Sequence, residues 1–342
     1  MQGQLVDVVA DSRWFPDGLD LEKGAMVFLD TSRERVASSA FLDQRMDRRG
    51  LTHQGSRLED LAGLTAPAKA PRFIWHTTFC CSTLLARCLD KPGTNLSLKE
   101  PNILMSIANI KRNQGMQAAQ AWLGPALNAL ARPMEAGEAV TIKPTNLVNN
   151  LIAETMACSP QSQHLFMTSD LRAFLVSIAK KGEAGRAFAR QVFTILAMDG
   201  HPIAETEHRQ LMHLSDLQIA ALVWHMQVSV FQDAMGRAKP GQMAWLDGDD
   251  FVRRPKQALR AVDDFFGLGL GQAFTDATAT GPLLTRDAKD QSRNYRASLR
   301  AQEARKTAQS LGRELDSIID WSYSLFPNAP RDGRLPHALL PQ

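Results

Sequence analysis

The stretch Arg72–Asp90, RFIWHTTFCCSTLLARCLD, decides how the rest of the chain is read. Its apolar run Phe73-Ile74-Trp75 predicts a short buried strand. A tight segment of mostly small residues follows, Thr77-Thr78-Phe79-Cys80-Cys81-Ser82-Thr83, and Leu84–Leu89 reads as the first turns of a helix. A strand, a tight loop ending in Ser-Thr and a helix start bring free backbone N–H groups and the positive end of the helix dipole to one point. The hydroxyls of Ser82 and Thr83 add two donors. This is the general plan of a phosphate-binding loop. The ATP-binding pattern G-x-x-x-x-G-K-[ST] is absent: no glycine lies between Arg72 and Lys91, and no lysine precedes Ser82. Taken alone, the segment fits equally a strand–turn–helix of a Rossmann-like core that holds no ligand.

Downstream, strand and helix alternate. A loop follows the first helix, and helices are predicted near Pro101–Arg112 and over Met116–Leu130. Next come a strand at Ala139–Ile142, a helix at Leu147–Ala157, a strand at Leu165–Met167 and a helix at Leu171–Lys181. This order implies an α/β fold, a parallel sheet with helices on both faces. From Glu183 to Gln242 the pattern is helical, and Asp216–Arg237 carries Trp224, His225, Met226 and Phe231 as a core-facing stripe. In residues 1–60, Leu5–Val9 and Ala25–Leu29 read as short strands separated by the turn-rich Trp14-Phe15-Pro16-Asp17-Gly18, and Val36–Gln44 is ambiguous. Leu64–Pro71 is a Pro/Ala-rich linker. Thr285–Arg305 reads as a loop plus an exposed helix, and the Pro-rich tail after Phe326 as extended. The expected organisation is an N-terminal appendage (1–65), a main domain (66–326) with a helical insertion, and a C-terminal tail (327–342).

With 342 residues and 44% hydrophobic residues, the chain can bury one large α/β core. A formal charge of +3 gives no basis for a general nucleic-acid coat. The four cysteines, Cys80, Cys81, Cys88 and Cys158, have neither C-x-x-C spacing nor a histidine-rich partner cluster, so no metal site is expected. The adjacent pair Cys80-Cys81 reads as small apolar filler. No secretory h-region or long apolar run is present, and the chain reads as soluble and cytoplasmic.

Several ordered segments together resemble the sulfotransferase family, a P-loop fold whose donor is 3′-phosphoadenosine 5′-phosphosulfate (PAPS). The family's phosphosulfate loop reads like P-[KR]-S-G-[ST]-T-x-L. Thr78–Leu85 keeps its Ser-Thr-Leu-Leu end, with Phe79 in place of the basic residue and Cys81 in place of the glycine. Leu98-Lys99-Glu100-Pro101 is similar to the Glu-Pro pair of bacterial members. Ala139–Thr145 is similar to the strand that ends in Lys-x-Pro or Lys-Thr-His. His164–Ile178 resembles the 3′-phosphate segment: Asp170, Arg172 and Ser177 fit its Asp, second Arg and Ser, while Ser169 replaces its first Arg. Met243–Phe251, Pro255 and Ala258–Leu268 resemble the family's "Tyr-Glu-Asp-Leu … Pro … Phe-Leu-Gly-Leu" strand and helix. The resemblance spans roughly residues 70–300.

The resemblance implies a nucleotide-binding transferase. Thr77, Thr78, Phe79, Cys80, Cys81, Ser82 and Thr83 would hold the 5′-phosphosulfate, and Ser169, Arg172 and Ser177 the 3′-phosphate. Lys289 and Arg293 fall where members carry a late basic loop, and by charge pattern alone they are a solvated run. Lys143 would reach the transferring group, and Glu100 would be the base, tuned toward neutral pH by burial. Glu100 equally fits a cap or a partner of Lys99. His76 is a donor to phosphate, a second base candidate or a satisfied structural histidine. The implied partner is a small-molecule or peptide acceptor, with no nucleic acid and no membrane, and a homodimer is left open. Two alternatives stand: a kinase or nucleotide hydrolase using another phosphorylated ligand, and a non-catalytic binding or scaffold protein of the same fold.

Overall fold

Two sheets organise the chain. The structure, a computed structural model, describes residues 8–64, 68–201, 203, 211, 213–284 and 297–341. In the N-terminal layer, β1 (Trp14–Asp20), β2 (Ala25–Asp30), helix α1 (Arg33–Ser38) and β3 (His53–Arg57) follow in turn, and the strands pair antiparallel. The main layer runs β4 (Arg72–His76), α2 (Ser82–Cys88), β5 (Asn95–Lys99), α3 (Asn102–Gln114), α4 (Met116–Leu130), β6 (Ala139–Lys143), α5 (Ile152–Cys158) and β7 (Gln163–Thr168). It continues with α6 (Leu171–Lys180), α7 (Gly182–Ala197), α8 (Asp216–Arg237), β8 (Met243–Asp247), α9 (Gly248–Arg253) and α10 (Pro255–Phe266). Helices α11 (Gln272–Thr280), α12 (Ala297–Ser310) and α13 (Gly312–Leu325) complete it.

The main sheet is parallel, in the order β5-β6-β4-β7-β8. From β4 the chain runs out to β5, returns to β6, and then crosses to β7 and β8 on the other side. The direction of winding reverses at β4, and α/β sheets bind ligands in the crevice outside the carboxyl ends at such a switch point. Ladder pairing between β4 and β6 covers only Arg72 with Thr141 and Phe73 with Ile142, so the two strands part before their carboxyl ends.

Side chains alternate between two cores, as the strand period requires. Phe73, Trp75, Leu98, Ile142, Phe166 and Trp245 face one cluster, shared with α3, α4, α6 and α8. Ile74, Leu165, Met167 and Leu246 face the other, shared with α2, α9 and α10. Trp14, Phe28 and Leu42 of the N-terminal layer belong to the first cluster, so that layer packs directly on one face of the main sheet. The stripe Trp224, His225, Met226 and Phe231 on α8 is buried.

Several expectations are corrected. Trp14–Gly18 is not a turn but most of β1, whose register shifts between Pro16 and Gly18. An edge strand with a bulge is where a proline is tolerated. Of Leu5–Val9, only Val8 and Val9 lie within the described residues, in a turn. The expected loop after α2 contains strand β5, NLSLK, buried at all five positions. Its polar residues find partners inside: Asn95 donates to the Leu89 carbonyl and accepts from Thr141, and Lys99 Nζ donates to the carbonyls of Val36 and Ala37 at the end of α1. Leu147–Ala157 is not one helix but a 3₁₀ segment, Asn146–Leu151, followed by α5. The tail is not simply extended: a 3₁₀ turn at Arg331–Gly333 precedes a stretch that bonds alongside β8 at Trp245.

Arg33 fastens the N-terminal layer to the main sheet. Its guanidinium is buried and donates to Glu138 at 2.7 Å, Asp90 at 3.0 Å and the Asn95 carbonyl at 3.2 Å. Removing one partner of a buried ion pair strands the other charge. Arg33→Met should therefore lower the stability read from chemical denaturation by roughly 3–5 kcal/mol. A loss below about 1 kcal/mol, the range of a surface pair, would show that this anchor does not hold the layer.

Candidate functional site

The loop Thr77–Thr83 sits at the carboxyl end of β4, at the switch point. Three of its non-glycine residues are left-handed: Thr78 (φ 74°), Phe79 (φ 52°) and Cys81 (φ 60°). Each such conformation costs on the order of 1–3 kcal/mol and persists only when its surroundings over-determine it. The surroundings do so here. His76 Nε2 lies 3.0 Å from the Pro144 carbonyl, and Nδ1 accepts from the Thr78 N–H at 3.0 Å. A carbonyl only accepts, so this geometry requires the neutral Nε2–H tautomer. The Thr77 N–H donates to the Met167 carbonyl on β7. Gln227 of α8 donates to the Thr77 carbonyl, and Asn149 to that of His76. At the start of α9, Gly248 packs so closely that a Cβ would stand 2.4 Å from the Cys80 carbonyl oxygen.

Among the described residues no side chain caps the start of α2, where Ser82 and Thr83 are buried. The hydroxyls of Thr77 and Thr78 are buried and without a hydrogen-bond partner among the described residues. So is the hydroxyl of Ser169, just beyond the neighbouring strand β7. A buried hydroxyl left unpaired costs about 1–3 kcal/mol. Three of them at two adjacent strand ends mark a place that lacks hydrogen-bonding partners. Phe79 packs its ring on Phe174 of α6 and Phe188 of α7. Cys80 and Cys88 are free thiols whose pKa values burial pushes up, to about 11 and about 12. That is the chemistry of apolar filler.

Lys143, at the end of β6, is fully buried. Its Nζ lies 2.7 Å from Glu100 Oε1 and 3.5 Å from the Pro144 carbonyl that His76 also contacts. Glu100 is left-handed (φ 56°), and its other oxygen accepts from Arg45 at 2.8 Å. Burial alone would raise the Glu100 pKa, but Lys143 and Arg45 more than offset it, and the net direction is down. The expected tuning toward neutral pH is therefore reversed: a carboxylate between two cations is held ionised. Lys99 is not its partner. Side chains alternate along β5, and Lys99 points to the end of α1, where burial brings its pKa down to about 8.

Other expected residues are dispersed. Arg172 pairs with Asp316 of α13 rather than turning to Ser169. Ser177 lies two turns into α6, half-buried. Lys289 and Arg293 lie outside the described residues. Arg331 and Arg334 of the tail instead line a cleft of about 640 Å³ together with Arg172, Asp170 and Asp247. Asp247 caps α9, and burial raises its pKa to about 6. Gly333 lies close over Ser169 and Trp224, and the Trp224 indole donates to the Ser169 carbonyl. Sequence reasoning missed Arg45, Asn149, Gln227 and the tail arginines. Each comes from a segment far from the loop, and none stands in a recognisable spacing. Among the described residues, no group of three or more His, Cys, Asp or Glu side chains could hold a metal ion, and no helix is long and apolar enough to cross a membrane.

No family model matches the sequence, and no curated protein matches it. In fold the chain is similar to sulfotransferase domains. A "Sulfotransferase Domain from the Curacin Biosynthetic Pathway" shares 13% identity over 72% of this chain and 99% of that one, with a TM-score of 0.45. The sulfotransferase STF1 from Mycobacterium tuberculosis H37Rv shares 13% identity over 65% and 73%, with a TM-score of 0.40. A sulfotransferase from Alicyclobacillus acidocaldarius shares 16% identity over 78% and 98%, with a TM-score of 0.32.

The lowered pKa of Glu100 has a consequence for acid stability. Between its folded pKa and the ordinary 4.5, the unfolded chain binds more protons at this group than the native one. The stability it contributes is thus complete above pH 4.5 and is lost as pH falls below it. In melting curves recorded from pH 7 down to 3, Glu100→Gln should lie below the wild type at neutral pH and converge on it in acid. Parallel curves would mean the ion pairs contribute nothing.

Proposed function

We propose that this chain is a sulfotransferase-like enzyme that binds PAPS at the β4 switch point and passes a sulfuryl group to a hydroxyl or amine of a small molecule or peptide. The observation that carries the reading is the set of unpaired buried hydroxyls, Thr77, Thr78 and Ser169, at adjacent strand ends beside a braced, left-handed loop. Bound phosphosulfate supplies the activated sulfuryl group, and oxygen-rich anions are the natural acceptors for such donors. The backbone of Thr77–Thr83 and the hydroxyls of Thr77, Thr78, Ser82 and Thr83 hold the 5′ end. Ser169 and Ser177 serve the 3′-phosphate, with Arg172, Arg331 and Arg334 supplying the charge that Ser169 lacks. Lys143, positioned by Glu100, offsets negative charge at the transferring group. Glu100, ionised but weakly basic, positions rather than abstracts; as the bond from sulfur to the phosphate oxygen breaks and the nucleotide leaves, the acceptor's proton passes to solvent water. His76, with both ring nitrogens engaged, fixes the loop.

One observation favours a second reading, a non-catalytic binding protein. Phe79 stands where the family's loop carries a cation, and it is committed to an aromatic cluster. Binding of the desulfonated product, 3′-phosphoadenosine 5′-phosphate (PAP), without consumption of PAPS would select it.

Thr78→Val keeps the side-chain shape and removes only the unpaired hydroxyl. Titration calorimetry with PAP should show affinity weakened by about five- to tenfold, the loss of one neutral hydrogen bond. The melting temperature without ligand should not fall, because no bond within the protein is lost. Unchanged affinity would place the hydroxyl away from the anion.

A further inference from the structure

A second cleft, of about 660 Å³, opens on the opposite side of the loop's braces, between α5, α7 and α8. Its volume is that of a small-molecule site. Ile152, Met156, Leu196, Met226 and Val230 make its walls apolar. Polar and charged side chains interrupt them, two of them neighbouring asparagines. Asn149 and Asn150 line the cleft, and the side-chain carbonyl oxygen of each is buried with no hydrogen-bond partner among the described residues. One amide N–H of each is engaged, Asn149 on the His76 carbonyl at 3.2 Å and Asn150 on Asp199 at 2.8 Å. What each oxygen lacks is a donor, and both residues line the cleft.

The charges at the rim narrow the choice of occupant. Lys111 is held by Glu154 at 2.8 Å and by the Asn150 backbone carbonyl, Asp199 is held by Arg112 at 2.8 Å, and the exposed Asp233 and Arg237 add one charge of each sign. The lining charges, Lys111 and Arg237 against Asp199 and Asp233, balance, so the cleft favours neither an anion nor a cation. A neutral donor meets two oxygens that nothing else among the described residues satisfies, and unpaired buried acceptors are costly.

We propose that this cleft binds a neutral, mainly apolar small molecule that carries a hydroxyl or an uncharged N–H, donated to the side-chain oxygen of Asn149 or Asn150. The cleft shares a wall with the loop, since Asn149 and Gln227 both line it and both hold loop carbonyls. Joined to the transfer reaction proposed above, the occupant is the acceptor; that identification rests on the reading of the loop, whereas the site itself does not.

The test uses the full chain and two probes of nearly one shape, 4-tert-butylphenol and its methyl ether 4-tert-butylanisole, which lacks the donor. By ligand-observed NMR or calorimetry the phenol should bind about tenfold tighter than the ether, the value of one satisfied buried acceptor. Ala153 is exposed and lines the cleft, and Val230 lines the opposite wall, half-buried. Ala153→Trp and, independently, Val230→Trp should fill the cleft and abolish phenol binding in a protein that still unfolds cooperatively. No binding of the phenol to the wild type, equal affinity for phenol and ether, or binding unchanged in whichever variant folds would overturn the proposal. PAP titrated into the same wild-type sample separates the two claims, because failure of the nucleotide to bind counts against the transfer reading alone.

Discussion

A neutral imidazole holds the centre of this fold. His76 closes β4 and turns its ring across the gap that β4 and β6 leave as they part, reaching the Pro144 carbonyl with one nitrogen and the Thr78 N–H with the other. Everything proposed for the site depends on that clamp. The loop beyond it adopts three left-handed conformations without a glycine, an arrangement that would relax if its ends were free. Strands β4 and β7, helix α8, the 3₁₀ segment after β6 and the glycine opening α9 each add one restraint. Protonating His76 would remove the acceptor that Thr78 needs, so the loop and the neutral ring stand together.

Charge is distributed by a similar logic. A buried lysine needs an anion or a ring of carbonyls. The two lysines that end the paired strands β5 and β6 take one solution each: Lys99 takes the last carbonyls of α1, and Lys143 takes Glu100. Arg45 then joins Glu100 from the N-terminal layer, its guanidinium stacked 3.5 Å from the centre of the Phe41 ring. The segment carrying it is held in place by backbone bonds from Leu42 to Lys99 and from Asn102 to Leu42. The N-terminal layer thus reaches the site through defined hydrogen bonds as well as packing on the sheet.

Much of the fold was legible because β4, β6 and β7 are apolar runs between helical periodicities. Strand β5 was not, because NLSLK alternates like a surface strand, and only the interior partners of Asn95 and Lys99 let it be buried on both faces. The strand β1 was hidden by Pro16 and Gly18, which read as a turn and form a bulge. At the site, the position of the loop followed from strand, small residues and helix in succession. The direction of the Glu100 shift did not: burial was readable from the strand end, while the second cation lies 55 residues away in sequence. Asn149 and Gln227 carry no local mark of their role, which exists only once α8 crosses the loop.

The central claim is that the loop at the β4 switch point holds the phosphosulfate end of an adenine nucleotide. Amide chemical shifts of the isotopically labelled chain, recorded as PAP and then 5′-AMP are titrated in, test it most directly. PAP should shift the amides of Thr77–Thr83 and Ser169 in a saturable manner, with 5′-AMP acting on the loop amides more weakly and leaving Ser169 unmoved. Saturable shifts confined to other parts of the chain, or none with either nucleotide, would contradict it.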